Sequence, residues 1–277
     1  DLERCEENGC ISDTNVENVS ERAKKRGLPQ VGTLGAGNHF LEVQEVKEIF
    51  NEEIAEKFGL EKNNIVVMIH CGSRGLGHQI ASDYIQEMEK TQGIEGLPDR
   101  ELVNAPVKSE AGKKYLSAMN CGVNFAFCNR QLIMHYVRQV LERFFPENKN
   151  HMVYDVCHNI AKFEKHEVYG QQKSLCVHRK GATRAFPPEH PDVPEPYRKV
   201  GQPVMIPGDM GTASYVLAGA SRSMQESWGS SCHGAGRVMS RKSATKRCQG
   251  MDIQSEMSKR NVDFMAESMK TMTEEMS

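Results

Sequence analysis

The chain has 277 residues, of which 38% are hydrophobic and 26% are charged, and its formal net charge is −2. This composition fits a folded soluble protein and predicts one large domain or two closely packed ones. Because the charge is nearly balanced, the composition excludes nucleic-acid binding through bulk positive charge, so any such binding needs a local basic patch. The first residue is Asp1 rather than Met, which suggests a fragment and leaves a lost targeting segment open.

Nine cysteines are scattered along the chain, and none forms a C-x-x-C pair. This spacing argues against a zinc ribbon and a thioredoxin motif. We therefore expect free thiols in a reducing, intracellular compartment. No apolar run approaches the length of a transmembrane helix, so no membrane association is predicted.

The first half of the chain alternates helices, glycine-rich loops and strands. Periodicity and glycine positions predict a short helix over residues 16–26, a glycine loop over 32–37 and a strand over 40–46. A second helix over 51–59, a buried strand over 64–69 and a third helix over 79–90 follow. Residues 91–110 read as a loop. A long helical region follows over residues 113–145, with an interruption predicted near Cys121 and Gly122.

The second half contains shorter predicted strands. Three are predicted over residues 152–156, 163–169 and 174–178, and two more over residues 203–206 and 213–217 around the turn PGDMG. The proline-rich residues 184–196 exclude regular structure. One or two amphipathic helices are predicted within residues 242–277. The mixture of strands and helices predicts a mixed α/β (α+β) fold rather than a bundle or a sandwich.

Four of the ten histidines share one setting, at a strand end beside a small residue or a glycine loop. They are His39, His70, His158 and His233. Imidazoles in such positions can converge at one rim of a sheet, where neutral imidazole suits manganese, zinc or iron. For any single histidine, a hydrogen bond to the backbone is the alternative. The set as a whole favours a metal site.

Basic residues accompany several of the glycine-rich segments. In SSCHGAGRVMSR, three small residues follow His233, and Arg237 and Arg241 would share one helix face suited to phosphate. The alternative is a glycine-rich turn before a surface helix. Arg74, in HCGSRGLGHQ, can offer a guanidinium to an anion, although this loop lacks the Lys-Ser/Thr of a P-loop. The segment HRKGATRAF is either a further anion contact or a solvated basic loop.

Six segments, in this order, together resemble the RtcB family of GTP-dependent RNA-splicing ligases. They are KKRGLPQVGTLGAGNHFLEVQ, MIHCGSRGLGHQ, YDVCHNIAKFEKH, VHRKGATRAFPP, GQPVMIPGDMGTASYVLAG and SCHGAGRVMSR. The resemblance implies a mixed α/β fold around one deep metal and nucleotide pocket. It also implies that residues 1–277 form a single domain that is incomplete at both ends.

The resemblance further implies the residues of the site. His233 corresponds to the nucleophile that attacks the α-phosphate of GTP, and His39, His70 and His158 correspond to ligands of two Mn2+ ions. Glu42 would accept hydrogen bonds from the N1 and N2 groups of guanine. The implied guanylate pocket comprises Asn38, His39, Phe40, Leu41, Glu42, His158, Asn159, Pro207, Gly208, Asp209, Met210, Ser214, His233, Gly234, Ala235 and Gly236. The implied RNA contacts are Arg26, Arg74, Lys180, Arg237 and Arg241.

The implied activity joins an RNA 2′,3′-cyclic phosphate or 3′-phosphate end to a 5′-hydroxyl end, through a histidine–GMP intermediate and an RNA(3′)pp(5′)G end. Its substrates would be tRNA halves or broken RNA, its cofactors GTP and manganese, and its partner an archease-type activator. The resemblance implies a cytoplasmic or, in a eukaryote, a nuclear location.

The sequence departs from the family pattern at both ends. The family's metal motif of the type D-x-N-C-G is expected upstream of residue 1, and MNCGVN at residues 119–124 lacks its aspartate. The family's late tyrosine and C-terminal lysine are also missing. Two alternatives to a ligase therefore stay open: a catalytically inactive RNA-binding remnant, and a binuclear metallohydrolase of phosphate esters that uses the same histidines.

Overall fold

The computed structural model describes residues 1–35, 39–209, 211–234, 239, 241–249, 251–266, 268 and 273. The α-helices in this part of the chain are α1 (Glu21–Gly27), α2 (Glu52–Phe58), α3 (Arg74–Gln92), α4 (Glu110–Phe144), α5 (Ser223–Ser227), α6 (Arg241–Arg247) and α7 (Ile253–Ser258). The strands are β1 (Phe40–Glu45), β2 (Ile65–His70), β3 (His158–Val168), β4 (Gln171–Arg184), β5 (Pro203–Ile206), β6 (Tyr215–Ala218) and β7 (Ser230–Cys232). The predicted mixed α/β fold class is confirmed. Within the described ranges, no helix has the length and apolar content needed to cross a membrane.

Three small antiparallel sheets carry the strands, in the orders β1-β2, β3-β4-β7 and β5-β6. The first residue of β1, Phe40, pairs with the last residue of β2, His70. In the second sheet, the first residue of β3, His158, pairs with Thr183 near the end of β4. Thr183 in turn pairs with Ser231 of β7. This register places the start of β3 and the end of β7 on either side of the same part of β4, and His233 follows directly after β7.

Helices α1, α3 and α4 enclose one apolar core. Ala23, Leu76, Ile80, Tyr84 and Ala118 are buried together there. The Ser20 side chain caps α1 by accepting a hydrogen bond from the backbone N–H of Ala23. This packing fixes the orientation of α3, whose first turn begins directly after β2.

The predicted start of one helix and the predicted interruption of another were wrong. In both places, glycines lie where two helices pack closely. Helix α3 begins at Arg74, five residues before the predicted start, because Leu76 is buried against α1 and α4. Helix α4 is continuous through the interruption predicted near Cys121 and Gly122. A methyl group on Gly122 would lie 3.7 Å from the Cα of Gly77, so both glycines permit α3 and α4 to pack closely. Helix burial here outweighs the low helix propensity of glycine.

The β3–β4 hairpin is longer than the two short strands predicted. Its turn consists of Tyr169 and Gly170, both with positive φ, as a two-residue hairpin turn of type I′ requires. The segment HRKGATRAF was expected to be a solvated loop or an anion contact. It instead lies mostly in β4, where Arg179 and Arg184 are buried and pair with Glu164.

The strand predicted over residues 152–156 was also wrong. Only Asp155 forms a bridge in this segment, and its partner is Cys5 at the start of the chain. The proline-rich segment is irregular, as predicted, apart from a short 3-10 helix at Glu195–Tyr197. A second apolar core around Phe58, Phe186 and Tyr197 anchors this segment beneath β5 and β6.

Candidate nucleotide and metal site

The four histidines selected from the sequence lie together where the sheets meet. The ring centroids of His70 and His158 are 4.9 Å apart, and those of His158 and His233 are 4.5 Å apart. The ring centroid of His70 lies 6.4 Å from that of His39 and 6.2 Å from that of His233. Each ring comes from a different strand end, so the cluster exists only in the folded chain.

The three predicted metal ligands of the cluster, His39, His70 and His158, are held in the neutral form. Burial lowers the pKa of His70 to about 4 and that of His158 to about 3, and the neighbouring imidazoles and Arg130 add to both effects. Burial, together with the charge of Arg74, also lowers the pKa of His39. Neutral imidazoles offer nitrogen lone pairs, which are needed both by a metal ligand and by a nucleophile.

Two of these rings suit a shared metal ion. The Nε2 atoms of His70 and His158 are 3.3 Å apart. Two nitrogen ligands at about 2.0–2.1 Å from one tetrahedral ion have nearly this separation. In addition, the buried Nδ1 atom of His39 has no hydrogen-bond partner among the described residues. The donor chemistry therefore fits a metal ion.

The ligand set is nevertheless incomplete in the described ranges of the chain. Within them, no three His, Cys, Asp or Glu side chains are arranged to hold a metal ion. His39 is the third predicted ligand, but its ring centroid lies 6.4 Å from that of His70, compared with 4.9 Å for His158. The histidines thus supply two well-spaced ligands and one additional donor.

An ion pair lies beneath the cluster. The Nε atom of Arg130, on α4, donates to the Oδ1 atom of Asp155 at 2.6 Å, and both side chains are buried. Arg130 also donates to the backbone carbonyl of Cys71, at 3.3 Å. Because Cys71 follows His70 and Asp155 precedes His158 by three residues, this ion pair links the segments that carry the two rings.

Asn129 of α4 holds the two glycine-rich loops together. Its Oδ1 accepts hydrogen bonds from the backbone N–H groups of Gly32 (2.6 Å) and Thr33 (3.2 Å). Its Nδ2 lies 3.2 Å from the carbonyl oxygen of Gly72 and 3.2 Å from the Sγ of Cys71. This side chain is fully buried, and its donor and acceptor capacity is used completely. Sequence patterns did not single it out, since one asparagine inside a long helix carries no motif.

We expect Asn129→Leu to lower the free energy of unfolding by about 3 kcal/mol, because several buried backbone groups lose their partner. Urea denaturation would measure the change. The matched control is Gln139→Leu, at an exposed position of the same helix, which should change stability by less than about 0.5 kcal/mol. If both substitutions lowered the free energy of unfolding equally, Asn129 would not hold the two glycine-rich loops together.

Arg74 lies against the first glycine loop. Its Nε donates to the Oγ1 of Thr33 at 3.2 Å. A side chain on Gly35 would come within 2.2 Å of the Nη1 of Arg74 and within 2.6 Å of the Nδ1 of His39. Gly35, whose φ is +103°, therefore permits the guanidinium and the imidazole to lie side by side.

His233 follows β7 and is held beside the end of β4. Its backbone N–H donates to the carbonyl oxygen of Gly181 at 3.3 Å. The N–H of Gly181 donates in turn to the Oδ1 of Asn159 at 2.7 Å. A methyl group on Gly234 would lie 3.7 Å from the carbonyl oxygen of Pro207. The predicted nucleotide turn and the predicted nucleophile are thus neighbours.

A hydrogen-bonded chain joins three residues of the predicted guanylate pocket. The Nε2 of Gln44 donates to the Oε2 of Glu42 at 2.6 Å and to the Oγ of Ser214 at 3.0 Å. The backbone N–H of Gly208 also donates to the Oγ of Ser214, at 3.0 Å. Burial raises the pKa of Glu42, and the hydrogen bond from Gln44 opposes that shift. Gln44 was missed in the sequence, although its position two residues after Glu42 places both on one face of β1.

The other predicted residues of the guanylate pocket differ in their contacts and exposure. The ring of Phe40 packs edge-on against His70, with the centroids 5.1 Å apart. Leu41 is exposed on the opposite face of β1, so its side chain points away from Glu42. The Oδ1 of Asp209 accepts a hydrogen bond from the N–H of Gly211, which closes the turn. Asn38, Met210, Ala235 and Gly236 lie outside the described residues.

The predicted RNA contacts are described only in part. Arg26 is exposed, and its Nη1 donates to the Oε1 of Gln79 at 2.7 Å. Lys180 is exposed on β4, one residue before Gly181. Arg237 and the side chain of Arg241 lie outside the described residues. The role of these residues as RNA contacts therefore stays a prediction.

Comparison with known proteins connects this geometry to one family. A family model described as tRNA-splicing ligase RtcB matches residues 1–277. The chain is 55% identical to the tRNA-splicing ligase RtcB of Thermococcus kodakarensis, with 99% of the chain and 58% of that protein covered. It is 54% identical to the protein of the same name from Pyrococcus furiosus, over 99% of the chain and 29% of that protein. It is also 49% identical to the RNA-splicing ligase RtcB homolog 1 of Entamoeba dispar, over 99% of the chain and 52% of that protein. The chain thus spans between 29% and 58% of the length of these relatives.

Proposed function

Because this chain belongs to the tRNA-splicing ligase RtcB family, we propose that the protein containing it joins RNA 3′-phosphate or 2′,3′-cyclic phosphate ends to 5′-hydroxyl ends. The observation that carries this proposal is the convergence of His233 on His70 and His158 beside the turn at Pro207. A nucleophile, metal-ligating imidazoles and a nucleotide-binding turn are the parts needed for nucleotide transfer.

In the first step, a nitrogen of His233 attacks the α-phosphorus of GTP. A phosphorus–nitrogen bond forms, the bond to the bridging oxygen breaks, and pyrophosphate leaves. The small residue Gly234 lets the nucleotide approach the backbone next to the attacking ring. His39, His70 and His158 would hold the two Mn2+ ions, whose chemistry is to neutralise phosphate charge.

In the later steps the RNA end is activated and joined. GMP moves from His233 to the RNA 3′-phosphate, which gives an RNA(3′)pp(5′)G end, and the 5′-hydroxyl then displaces GMP. A 2′,3′-cyclic phosphate is first hydrolysed to the 3′-phosphate. Arg26, Arg74, Lys180, Arg237 and Arg241 would contact RNA phosphates. Substrates such as tRNA halves, an archease-type activator and a cytoplasmic location are proposed from the family resemblance alone.

A labelling experiment tests the first step. The full-length protein, incubated with manganese and GTP labelled at the α-phosphate, should become labelled. The label should be lost in acid and kept in alkali, since a phosphorus–nitrogen bond is acid-labile, unlike a serine phosphoester. ATP should label it far less. A protein that hydrolyses phosphate esters but takes up no label would be a metallohydrolase instead.

A second candidate is an RNA-binding remnant without ligase activity. It is favoured by one observation, the incomplete set of metal ligands among the residues that the structure describes. RNA binding that weakens as the salt concentration rises, without label uptake and without joining, would support this candidate. The two candidates are therefore separated by the same labelling experiment.

A further inference from the structure

We propose that Gln44 is a positioning residue for base selection, which holds the Glu42 carboxylate so that the pocket takes guanine in preference to adenine. This inference rests on the proposed function, because it assumes that the pocket binds a guanylate. It adds a residue that touches neither the reacting phosphate nor the predicted metal ligands. Gln44 acts through Glu42 and Ser214.

The first part of the argument is the geometry around the amide of Gln44. An amide nitrogen carries two hydrogens, and Gln44 directs one to Glu42 at 2.6 Å and the other to Ser214 at 3.0 Å. Both of its donors are therefore used, which fixes the plane of the amide and the position of the carboxylate oxygen Oε2. The other carboxylate oxygen, Oε1, stays available as an acceptor.

The second part is the connection between two sheets. Gln44 belongs to the β1-β2 sheet, whereas Ser214 precedes β6 and receives a second hydrogen bond from the N–H of Gly208. Both lone pairs of the Ser214 hydroxyl are thus engaged. This chain of hydrogen bonds runs from Glu42 to the turn at Pro207, next to which Gly234 and His233 lie. A displacement of Gln44 would shift the base-recognising carboxylate relative to the nucleophile.

The third part is the chemistry of base selection. Guanine presents two donors, N1–H and the N2 amino group, and an ionised carboxylate accepts from both. Adenine presents an acceptor at N1 and a donor at N6, which a protonated carboxyl group can match. Burial favours the protonated form of Glu42, and the N–H of Gln44 opposes protonation because it stabilises an acceptor. Gln44 therefore keeps the carboxylate in the form that pairs with guanine.

Two substitutions separate the components of this role. Gln44→Met keeps the length of the side chain and removes both donors. Gln44→Glu keeps the shape but places a like charge beside Glu42. Val43→Thr is the matched control, because Val43 lies on the exposed face of the same strand.

The measurement is kcat/KM for label uptake from GTP and from ATP, in the full-length protein with manganese. We expect the ratio of GTP to ATP to fall about tenfold to a hundredfold in both Gln44 variants, as loss of a hydrogen bond to a charged group predicts. The ratio should be unchanged in Val43→Thr. Joining of a pre-activated RNA(3′)pp(5′)G end should change least, because that step needs no new nucleotide.

The outcomes distinguish this inference from the proposed function. An unchanged GTP to ATP ratio in a folded Gln44→Met protein overturns the inference and leaves the ligase proposal intact. Equal losses with GTP and ATP also overturn it, because they indicate a general structural role. Failure of the unaltered protein to take up label from either nucleotide overturns the proposed function, and the guanine pocket assumed here with it.

Discussion

Replacing His233 with alanine in the full-length protein is expected to abolish label uptake from the α-phosphate of GTP, and with it the joining of a 3′-phosphate end. An imidazole can attack phosphorus at neutral pH, because the free group has a pKa of about 6.5 and an unprotonated nitrogen is available. His233 lies beside His158, with the ring centroids 4.5 Å apart, and follows a strand paired with β4. Its loss therefore removes the attacking atom.

Joining of a pre-activated RNA(3′)pp(5′)G end should survive in His233→Ala, because that step forms no new histidine–GMP bond. His39→Ala should impair both steps if its metal ion also serves the final attack. His135→Ala, on the exposed surface of α4, is the matched control and should label normally. Retained labelling in a folded His233→Ala protein would exclude this histidine as the nucleophile.

The clustering of the four histidines could be anticipated from local patterns. His39 and His70 lie next to predicted strands that match β1 and β2. His158 was expected after a strand over residues 152–156 but instead begins β3, and no strand was predicted before His233. Strands β1, β2 and β5 have nearly their predicted bounds. The sequence patterns predicted that the rings could converge, and the structure brings them together. Their roles as ligands and nucleophile stay predictions.

Residues whose role depends on contacts between distant segments of the chain could not be found from local sequence patterns. Asn129 belongs to none of the quoted segments, and Gln44 ends the first of them without a role that the pattern could assign. Their hydrogen bonds join segments that are up to 170 residues apart. The length of the β3–β4 hairpin was underestimated for another reason. Its buried face carries Lys162, Glu164, His166 and Arg179, so alternation of polarity, the usual signal of a strand, is obscured.

That buried polar face is centred on Glu164, whose carboxylate is surrounded by donors. Arg179 donates to both oxygens, at 2.7 Å and 2.8 Å, and the Nε of Arg184 donates to Oε1 at 2.6 Å. His166 lies 3.1 Å from Oε2. Arg179 also donates to the Oγ of Ser230, the first residue of β7, and to the carbonyl oxygen of Trp228 in the turn before it. The ion cluster therefore fixes the strand that precedes His233.

Glu164→Gln is expected to lower the free energy of unfolding by about 3 kcal/mol, because it leaves the buried Arg179 without its carboxylate. Arg184, in contrast, keeps its ion pairs with Glu7 and Glu6. Burial alone would raise the pKa of Glu164, but hydrogen bonds from Arg179 and the charges of Arg184 and Arg179 outweigh it and lower the pKa to about 2. A carboxylate with a depressed pKa stabilises the fold fully above its unfolded pKa of 4.5. That contribution is lost as the pH falls from 4.5 towards 2.

Urea denaturation between pH 7 and pH 3 measures both effects. The unaltered protein should lose stability below pH 4.5, and Glu164→Gln should show a smaller loss over the same interval, because it lacks the titrating group. Glu167→Gln, on the exposed face of β3, is the matched control and should behave like the unaltered protein. If Glu164→Gln instead retains full stability at pH 7, the two arginines are compensated by other groups. In that case Glu164 does not hold β7 in place.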